Sequence, residues 1–282
     1  MGRPMAARLS EAGYQVSGAD PDERARETLS QIGVSAFAQA SEAVAGANAV
    51  ILMLPDGQIV RNVLLGSTGI AAGLPEGTLV IDMSSSAPGG TRVLGAELAE
   101  CGLRFIDAPV SGGVARARTG DLCIMAGGEA DDVAAAQPLL QAMGSTILHA
   151  GPLGCGHAAK ALNNYVSAAG LVAACEAVII GEQFGISGET LVDILNASTG
   201  RNNSTEVKLK PHILSGSFAS GFAMALMTKD LQIAFDLARE LGISACGAEQ
   251  AVALWSAALA ELDQGSDHTK IHSFLKERAL TG

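Results

Sequence analysis

Lys160 is the side chain in this sequence best placed to move a proton. It interrupts a run of small and apolar residues that favours a helix, and Asn164 follows four residues later on the same helical face. Burial near a helix N-terminus disfavours the charged ammonium, so the amine could take a hydroxyl proton as hydride leaves the same carbon, or return it in reverse. Asn164 would orient that hydroxyl. The alternatives are a solvated surface lysine and an asparagine that only bonds the backbone.

A second group of residues could bind an anion. Ser111, Gly112 and Gly113 follow an apolar segment and offer one hydroxyl and consecutive backbone N–H groups without bulky side chains. Such a loop can hold a carboxylate, as backbone nests do in other proteins. An ordinary glycine-rich turn would have the same composition.

An oxidation of this kind needs a hydride acceptor, and the first twenty residues indicate one. Gly2 precedes apolar residues at helical spacing, as the last glycine of a G-x-G-x-x-G motif does in a Rossmann βαβ unit. Asp20 ends the next predicted strand, where a carboxylate accepts hydrogen bonds from ribose hydroxyls and repels the extra phosphate of NADP. The sequence therefore predicts NAD, with NADP less favoured. An ordinary amphipathic helix and a turn or cap role for Asp20 are the alternatives.

The strand and the first two glycines of this motif have no counterpart in the sequence before Gly2. We expect a segment on the order of ten residues upstream of Met1 to supply them. The same observation keeps open a second hypothesis, in which the chain binds its cofactor poorly and acts as a non-catalytic oligomeric protein.

Two further segments follow apolar runs that read as buried strands. Leu54 and Pro55 end one run, and Ser85 lies within the serine cluster that ends the next. Ligands of open α/β sheets bind at the carboxyl ends of the strands, so these residues are predicted to line the cofactor site. A strand-ending proline and a polar turn are the alternative interpretations.

Composition limits the classes of function. The chain has 282 residues, of which 48% are hydrophobic and 4% aromatic, and a net charge of −11. This acidity, without any basic run, argues against nucleic-acid binding. The apolar runs are interrupted by Gly, Asn or Glu, and we expect no membrane association. Five cysteines without CxxC spacing suggest free thiols in the cytoplasm, and no cluster has the spacing of a metal site.

The pattern of elements changes along the chain. Up to about residue 150, short aliphatic runs alternate with helical patterns, which predicts a mostly parallel sheet covered by helices. Later strands are close together, which allows antiparallel edges. From there on the pattern is helical, beginning with one helix of about thirty residues over Gly156 to Phe184. Later predicted helices include one over Ser204 to Leu214 and one over His268 to Leu280. We therefore predict a Rossmann-like α/β domain over 1–152, its first strand missing from this chain, and an all-helical substrate and dimerisation domain over 153–282.

Four segments together resemble the β-hydroxyacid dehydrogenases, which include 3-hydroxyisobutyrate dehydrogenase and tartronate semialdehyde reductase. They occur in that family's order and span essentially the whole chain: Met1-Gly2-Arg3-Pro4-Met5-Ala6, Asp107-Ala108-Pro109-Val110-Ser111-Gly112-Gly113, Gly154-Cys155-Gly156-His157-Ala158-Ala159-Lys160-Ala161-Leu162-Asn163-Asn164 and Lys229-Asp230-Leu231. The resemblance implies a two-domain fold, a nicotinamide cofactor and a short 3-hydroxy acid or its semialdehyde as substrate. It also implies a homodimer or homotetramer.

The resemblance also implies roles for single residues. Lys160 corresponds to the catalytic lysine, Ser111 begins the loop that binds the substrate carboxylate, and Ser85 corresponds to a hydroxyl that contacts the cofactor. Lys229 would close over the cofactor, while Asp230 could be its ion-pair partner and no more. A 6-phosphogluconate-dehydrogenase-like enzyme and an imine-reducing enzyme are related alternatives.

Arg201 lies in a polar stretch between predicted helices, where substrate identity could be read. A solvated loop ending in Ser204 as a helix N-cap is an equal interpretation, so the role of Arg201 stays open.

Overall fold

The computed structural model describes residues 1–263 and 265–281 and divides the chain into two compact units, Met1–Lys160 and Ala161–Gly282. The first unit carries all eight strands of the described chain: β1 (Ser17–Ala19), β2 (Ser35–Phe37), β3 (Ala49–Leu52), β4 (Leu79–Asp82), β5 (Arg104–Asp107), β6 (Val110–Ser111), β7 (Cys123–Gly127) and β8 (Thr146–Gly151).

The strands form a six-stranded sheet and a separate pair. In the larger sheet the order is β3-β4-β5-β7-β6, with β8 paired to β7. The β3, β4 and β5 pairings are parallel, whereas β7 runs antiparallel to β5 and β6. This agrees with the predicted mixture of parallel strands and antiparallel edges. In the described part of the chain β1 and β2 pair only with each other, so the expected single sheet is two sheets.

The buried strands explain the near-continuous apolar segments of the sequence. Val80, Ile81 and Ile106 on β4 and β5 have no solvent exposure, as expected for parallel strands covered on both faces. The covering helices of this unit are α1 (Gly2–Glu11), α2 (Glu23–Ser30), α3 (Ala40–Ala43), α4 (Gly57–Leu65), α5 (Pro88–Glu100), α6 (Gly113–Thr119) and α7 (Ala130–Met143). A short 3₁₀ turn covers Ala71–Gly73.

A single long helix, α8 (Cys155–Phe184), starts in the first unit and continues into the second. It begins one residue earlier than predicted. It is long and apolar enough to cross a membrane by length and composition, but 44% of its most apolar window is buried inside the protein. Its face formed by Ala168, Leu171, Cys175 and Val178 is fully buried in the core of the second unit. One face of the helix is therefore part of the core of the second unit.

The second unit is helical, as predicted: α9 (Gly188–Ala197), α10 (Asn203–Val207), α11 (Met224–Glu240), α12 (Cys246–Glu261) and α13 (Ile271–Thr281). The helix predicted to begin at His268 begins at Ile271 as α13. Residues His268–Lys270 before it form a 3₁₀ turn. These helices enclose a core centred on Trp255, which has no solvent exposure.

The helix predicted from Ser204 to Leu214 is wrong in two respects. It is divided into α10 and a π-helical turn over Leu209–Leu214. Pro211 has no N–H to donate, so a regular α-helix cannot continue through this position. Asn202, not Ser204, is the N-cap: its side chain accepts the Ser204 and Thr205 N–H groups, and Thr205 closes a capping box.

Candidate active site

Lys160 lies in the second turn of α8 and is buried, with 8% of its surface exposed. The alternative interpretation, a solvated surface lysine, is therefore wrong. A long cationic side chain is rarely buried to this extent without a compensating role. Since Asn164 follows at the i+4 position of the same helix, the two side chains share one helical face.

The predicted anion-binding loop is built as a strand end that turns into a helix. Ser111 is paired to Cys123 at the end of β6, and α6 begins two residues later. Gly112 and Gly113 have φ values of +128° and +67°, which side-chain-bearing residues rarely adopt. No side chain caps α6, so its first N–H groups are not used by a capping residue. Both glycines are exposed, and the loop can meet a ligand.

Asp107 starts this loop segment and also holds the beginning of α8. Its buried carboxylate accepts the Gly154 N–H at 2.7 Å and the His157 N–H at 2.6 Å. Burial raises the pKa of Asp107, while the charge of His157 and these backbone hydrogen bonds act in the opposite direction. One carboxylate therefore ties the predicted anion-binding loop to the helix that carries Lys160.

His157 and Asp82 extend this buried polar group, and sequence reasoning missed both. The His157 Nδ1 is 2.8 Å from the Thr91 hydroxyl, and its Nε2 is 3.7 Å from the Asp82 carboxylate. Asp82 also accepts hydrogen bonds from the Ser84 N–H and the Ser86 hydroxyl. The available signal was that two predicted strands, LVID and RFID, both end in aspartate.

The two cofactor loops predicted at strand ends are joined to each other. The Leu54 N–H donates to the Ser84 hydroxyl at 2.9 Å, and Ser84 is buried. Ser85, the predicted cofactor contact, is half-buried, and Pro55 lies beside the β3 end. Ser84 therefore fixes the loops, while Ser85 is the more accessible hydroxyl.

Gly2 begins α1, and no side chain caps this helix. The first N–H groups of a helix form a site for an anion such as a pyrophosphate. A Cβ added to Gly2 would lie 3.9 Å from Met53, an ordinary contact, so packing within the protein does not by itself demand glycine.

Asp20 follows β1 and is partly exposed. Its carboxylate accepts the Asp22 N–H at 2.9 Å, so it forms a turn, while Asp22 is the N-cap of α2. Arg26 donates to the backbone carbonyls of Asp20 and Pro21. With Glu23, the surroundings of Asp20 are acidic, and the nearby guanidinium is bound to the backbone.

In the second unit, Asn164 and Asp230 form a buried pair. The Asn164 amide donates to the Asp230 carboxylate at 2.6 Å and accepts from the Asn163 amide. Lys229 is 3.9 Å from the same carboxylate. The prediction that Asp230 is an ion-pair partner and no more is wrong, because its carboxylate also fixes the orientation of the Asn164 amide.

Arg201 is exposed, with its guanidinium 3.7 Å from Glu206. Among the described residues, no group of His, Cys, Asp and Glu side chains could hold a metal ion. The five cysteines are free thiols.

Comparisons with known proteins place this chain in a family. Residues 1–151 match the NAD-binding domain of 6-phosphogluconate dehydrogenase, and residues 154–275 match the NAD-binding family of NADP-dependent 3-hydroxyisobutyrate dehydrogenase. The chain is 40% identical to an NAD-dependent L-serine dehydrogenase of Pseudomonas aeruginosa, over 85% of this chain and 82% of that protein. The chain belongs to the β-hydroxyacid dehydrogenase family. It is an NAD(P)-dependent 3-hydroxyacid dehydrogenase family oxidoreductase.

Other members of the family are similar over most of their length. The 2-(hydroxymethyl)glutarate dehydrogenase of Eubacterium barkeri is 35% identical over 85% of this chain and 80% of its own. The solved 3-hydroxyisobutyrate dehydrogenase of Mycobacterium tuberculosis with L-serine has a TM-score of 0.90 and 35% identity, covering 98% of this chain and 96% of that one. The predicted fold, a Rossmann-like domain followed by a helical domain with a long helix, is confirmed.

Proposed function

We propose that this oxidoreductase interconverts a short 3-hydroxy acid and its semialdehyde, with NAD as cofactor and Lys160 as the general acid and base. The observation that carries the proposal is the burial of Lys160 on α8, one helical turn before an asparagine whose amide is held by a buried carboxylate. A buried amine next to a fixed amide suits proton transfer at a hydroxyl group.

The substrate class is supported by what the names of three relatives have in common. L-Serine, 2-(hydroxymethyl)glutarate and 3-hydroxyisobutyrate each carry a hydroxymethyl group on the carbon that bears a carboxylate. The Ser111–Gly113 loop offers one hydroxyl and exposed backbone N–H groups for such a carboxylate. Lys160 and Asn164 would then act on the hydroxyl at the other end of the molecule.

The proton and the hydride leave the substrate in one step. The uncharged Lys160 amine takes the hydroxyl proton as the C–H bond breaks, and the alcohol becomes an aldehyde. Asn164 hydrogen-bonds the substrate oxygen and aligns it with Lys160. The nicotinamide, when bound, accepts the hydride. In the reductive direction, the Lys160 ammonium returns the proton to the carbonyl oxygen.

The direct test is turnover of a substrate panel with each cofactor. L-Serine, 3-hydroxyisobutyrate and 2-(hydroxymethyl)glutarate are expected to be oxidised with NAD, while hydroxy acids without a hydroxymethyl group, such as lactate, are not. Nicotinamide affinity measured by calorimetry tests the hypothesis of a non-catalytic protein separately. Weak or absent binding of NAD, together with no turnover of any hydroxymethyl acid, would favour that second hypothesis.

The preference for NAD is supported by the charges around Asp20. Its carboxylate, with Asp22 and Glu23 beside it, would face the adenosine ribose at the end of β1. Ribose hydroxyls are good donors to a carboxylate, whereas a 2′-phosphate is repelled by it. The nearest guanidinium, that of Arg26, donates to backbone carbonyls.

The Asp20→Asn variant is expected to lose most of its preference for NAD over NADP. A hydrogen bond to a charged group contributes about 1.5–3 kcal/mol, so the ratio of the two kcat/KM values should fall by about tenfold to a hundredfold. Steady-state kinetics with both cofactors measure it. Glu27→Gln, which removes an exposed carboxylate on the following helix α2, is the matched control. An unchanged ratio in Asp20→Asn contradicts the ribose role.

A homodimer or homotetramer is proposed from an exposed apolar stripe on α8. Val166, Ile180 and Phe184 are 68%, 68% and 85% exposed, and Leu162 continues the stripe. Large apolar side chains that recur on one face of a helix and are exposed to this extent are typical of an interface, and a second copy of the chain would cover them.

Replacing both Ile180 and Phe184 with glutamate is expected to dissociate the oligomer, because burying two carboxylates without partners is unfavourable. Sedimentation velocity of parent and variant measures the assembly state. Val93→Glu, at an exposed valine on α5, is the control for an added surface charge. A parent that sediments as a monomer contradicts the proposal.

A further inference from the structure

The start of α8 is closely packed against the end of β7. A Cβ added to Gly127 would lie 2.5 Å from the Asp107 carboxylate, and one added to Gly156 would lie 2.8 Å from it. Real side chains do not approach so closely, so both positions require glycine. These contacts fix the first turn of α8 against the end of β7, and Asp107 lies between the helix and the sheet.

The bonds that Asp107 makes are strong for their type. The first N–H groups of a helix have no partners within the helix, and the helix dipole makes this end positive. A buried carboxylate that accepts two of these groups forms charge-assisted hydrogen bonds. Both lie at 2.7 Å or less. A sideways shift of the helix would break them.

His157 fixes the same turn from a second side. Asp82 and Asp107 are register partners at the ends of the adjacent parallel strands β4 and β5. The buried imidazole lies 3.7 Å from each carboxylate, and the Thr91 hydroxyl is within hydrogen-bond distance of its Nδ1. Because Thr91 also donates to the Ala87 carbonyl, its oxygen is free to accept the Nδ1 proton. The ring thereby connects α8 to α5 and to both strand ends.

We propose that Asp107 and His157 are positioning residues for catalysis: they hold the first turn of α8, and with it Lys160, in register with the Ser111–Gly113 loop that begins at the same strand end. The inference rests on the proposed role of Lys160. Lys160 lies three residues after His157, so a displacement of the first turn moves the amine directly. A misplacement of about 1 Å can cost on the order of a hundredfold in rate.

The test is the Asp107→Asn variant with L-serine and 3-hydroxyisobutyrate as probes. Its amide keeps the shape but places an NH₂ group against one of the two backbone N–H donors. We expect kcat to fall by about 10–100-fold, with the dissociation constant for NAD within about threefold of the parent. Asp132→Asn, which removes a first-turn carboxylate of α7 in the same unit, is the control and should leave kcat unchanged. A folded Asp107→Asn protein with parental kcat overturns the proposal.

Combining Asp107→Asn with Lys160→Met separates positioning from general stability. If Asp107 acts through Lys160, Asp107→Asn adds little to the loss of kcat that Lys160→Met already causes. The same fold-loss from Asp107→Asn in the parent and in the Lys160→Met background would overturn the proposal. Should Lys160→Met itself turn over normally, the proposed function fails. Hydrogen exchange at the Gly154 and His157 amides would still report whether Asp107 holds the helix.

A milder pair of variants covers the case in which Asp107→Asn does not fold. Thr91→Val removes the hydroxyl beside His157, and Thr91→Ser keeps it. We expect kcat to fall by about threefold to tenfold in Thr91→Val, in line with one net hydrogen bond of about 1 kcal/mol, and to stay near the parent in Thr91→Ser. Equal kcat values for Thr91→Val and Thr91→Ser would overturn the positioning role of His157.

Discussion

Lys160→Met is expected to lower kcat by about 10²–10⁴-fold, the usual contribution of a general acid or base. Methionine fills a similar volume but cannot exchange a proton, so the affinity for NAD should stay close to that of the parent. Rapid-mixing and steady-state kinetics, with calorimetry for NAD, measure the two effects separately.

Two further variants decide what Lys160 contributes. Lys160→Arg keeps a positive charge, but the guanidinium does not release a proton near neutral pH. This variant should therefore not restore turnover. Lys208→Met removes another partly buried lysine, whose pKa burial lowers, and should leave kcat unchanged. Recovery of activity in Lys160→Arg would assign Lys160 an electrostatic role and contradict general acid–base catalysis.

Asp267→Asn is expected to destabilise the second unit strongly, by about 3 kcal/mol. The Asp267 carboxylate is 10% exposed and accepts from the Ser220 and Thr269 hydroxyls and from the Gly221, Phe222 and Thr269 N–H groups. The Asn side chain has a single acceptor oxygen for these donors. Thermal and urea denaturation measure the difference, with the exposed Asp263→Asn as the control from the same loop.

The same comparison has a defined pH dependence. Partial burial raises the pKa of Asp267, but hydrogen bonds from His268, Thr269 and Ser220 outweigh it and hold the pKa far below its ordinary value. The carboxylate is therefore stabilising above its unfolded pKa of about 3.9, and this stabilisation is lost as the pH falls further. The difference in free energy of unfolding between the parent and Asp267→Asn should be constant near neutral pH and become smaller below about pH 4. The same difference in free energy of unfolding at about pH 7 and at about pH 2 would contradict this pH dependence.

The sequence predicted those parts of the fold that local pattern determines. The strands Ala49–Leu52, Leu79–Asp82 and Arg104–Asp107 were found where short aliphatic runs end in Pro, Ser or Asp. Helix α8 was predicted to within one residue because apolar spacing over thirty residues is a strong signal. The break at Pro211 was missed, since the flanking residues continue a helical pattern on both sides.

The roles within the site depended on contacts that no local pattern reveals. Asp230 follows Lys229 directly, which suggested an ion pair, yet its carboxylate also accepts a hydrogen bond from Asn164, 66 residues away. Asp107 and His157 are 50 residues apart and meet only because β5 ends where α8 begins. Both aspartates were visible in the sequence, but their partners depend on the tertiary fold.

The two hydrogen bonds from Arg26 to the backbone carbonyls of Asp20 and Pro21 limit how this enzyme could be re-engineered to use NADP. If Asp20 faces the ribose as proposed, neutralising it would remove the repulsion but supply no cation for the additional phosphate. Asp22 is a poor position for an introduced cation, because its side chain caps α2 and the loss of an N-cap costs about 1 kcal/mol. The exposed Pro21 is the position of this turn at which an introduced arginine would disturb least, so Asp20→Asn with Pro21→Arg is the pair of changes that a cofactor exchange would require.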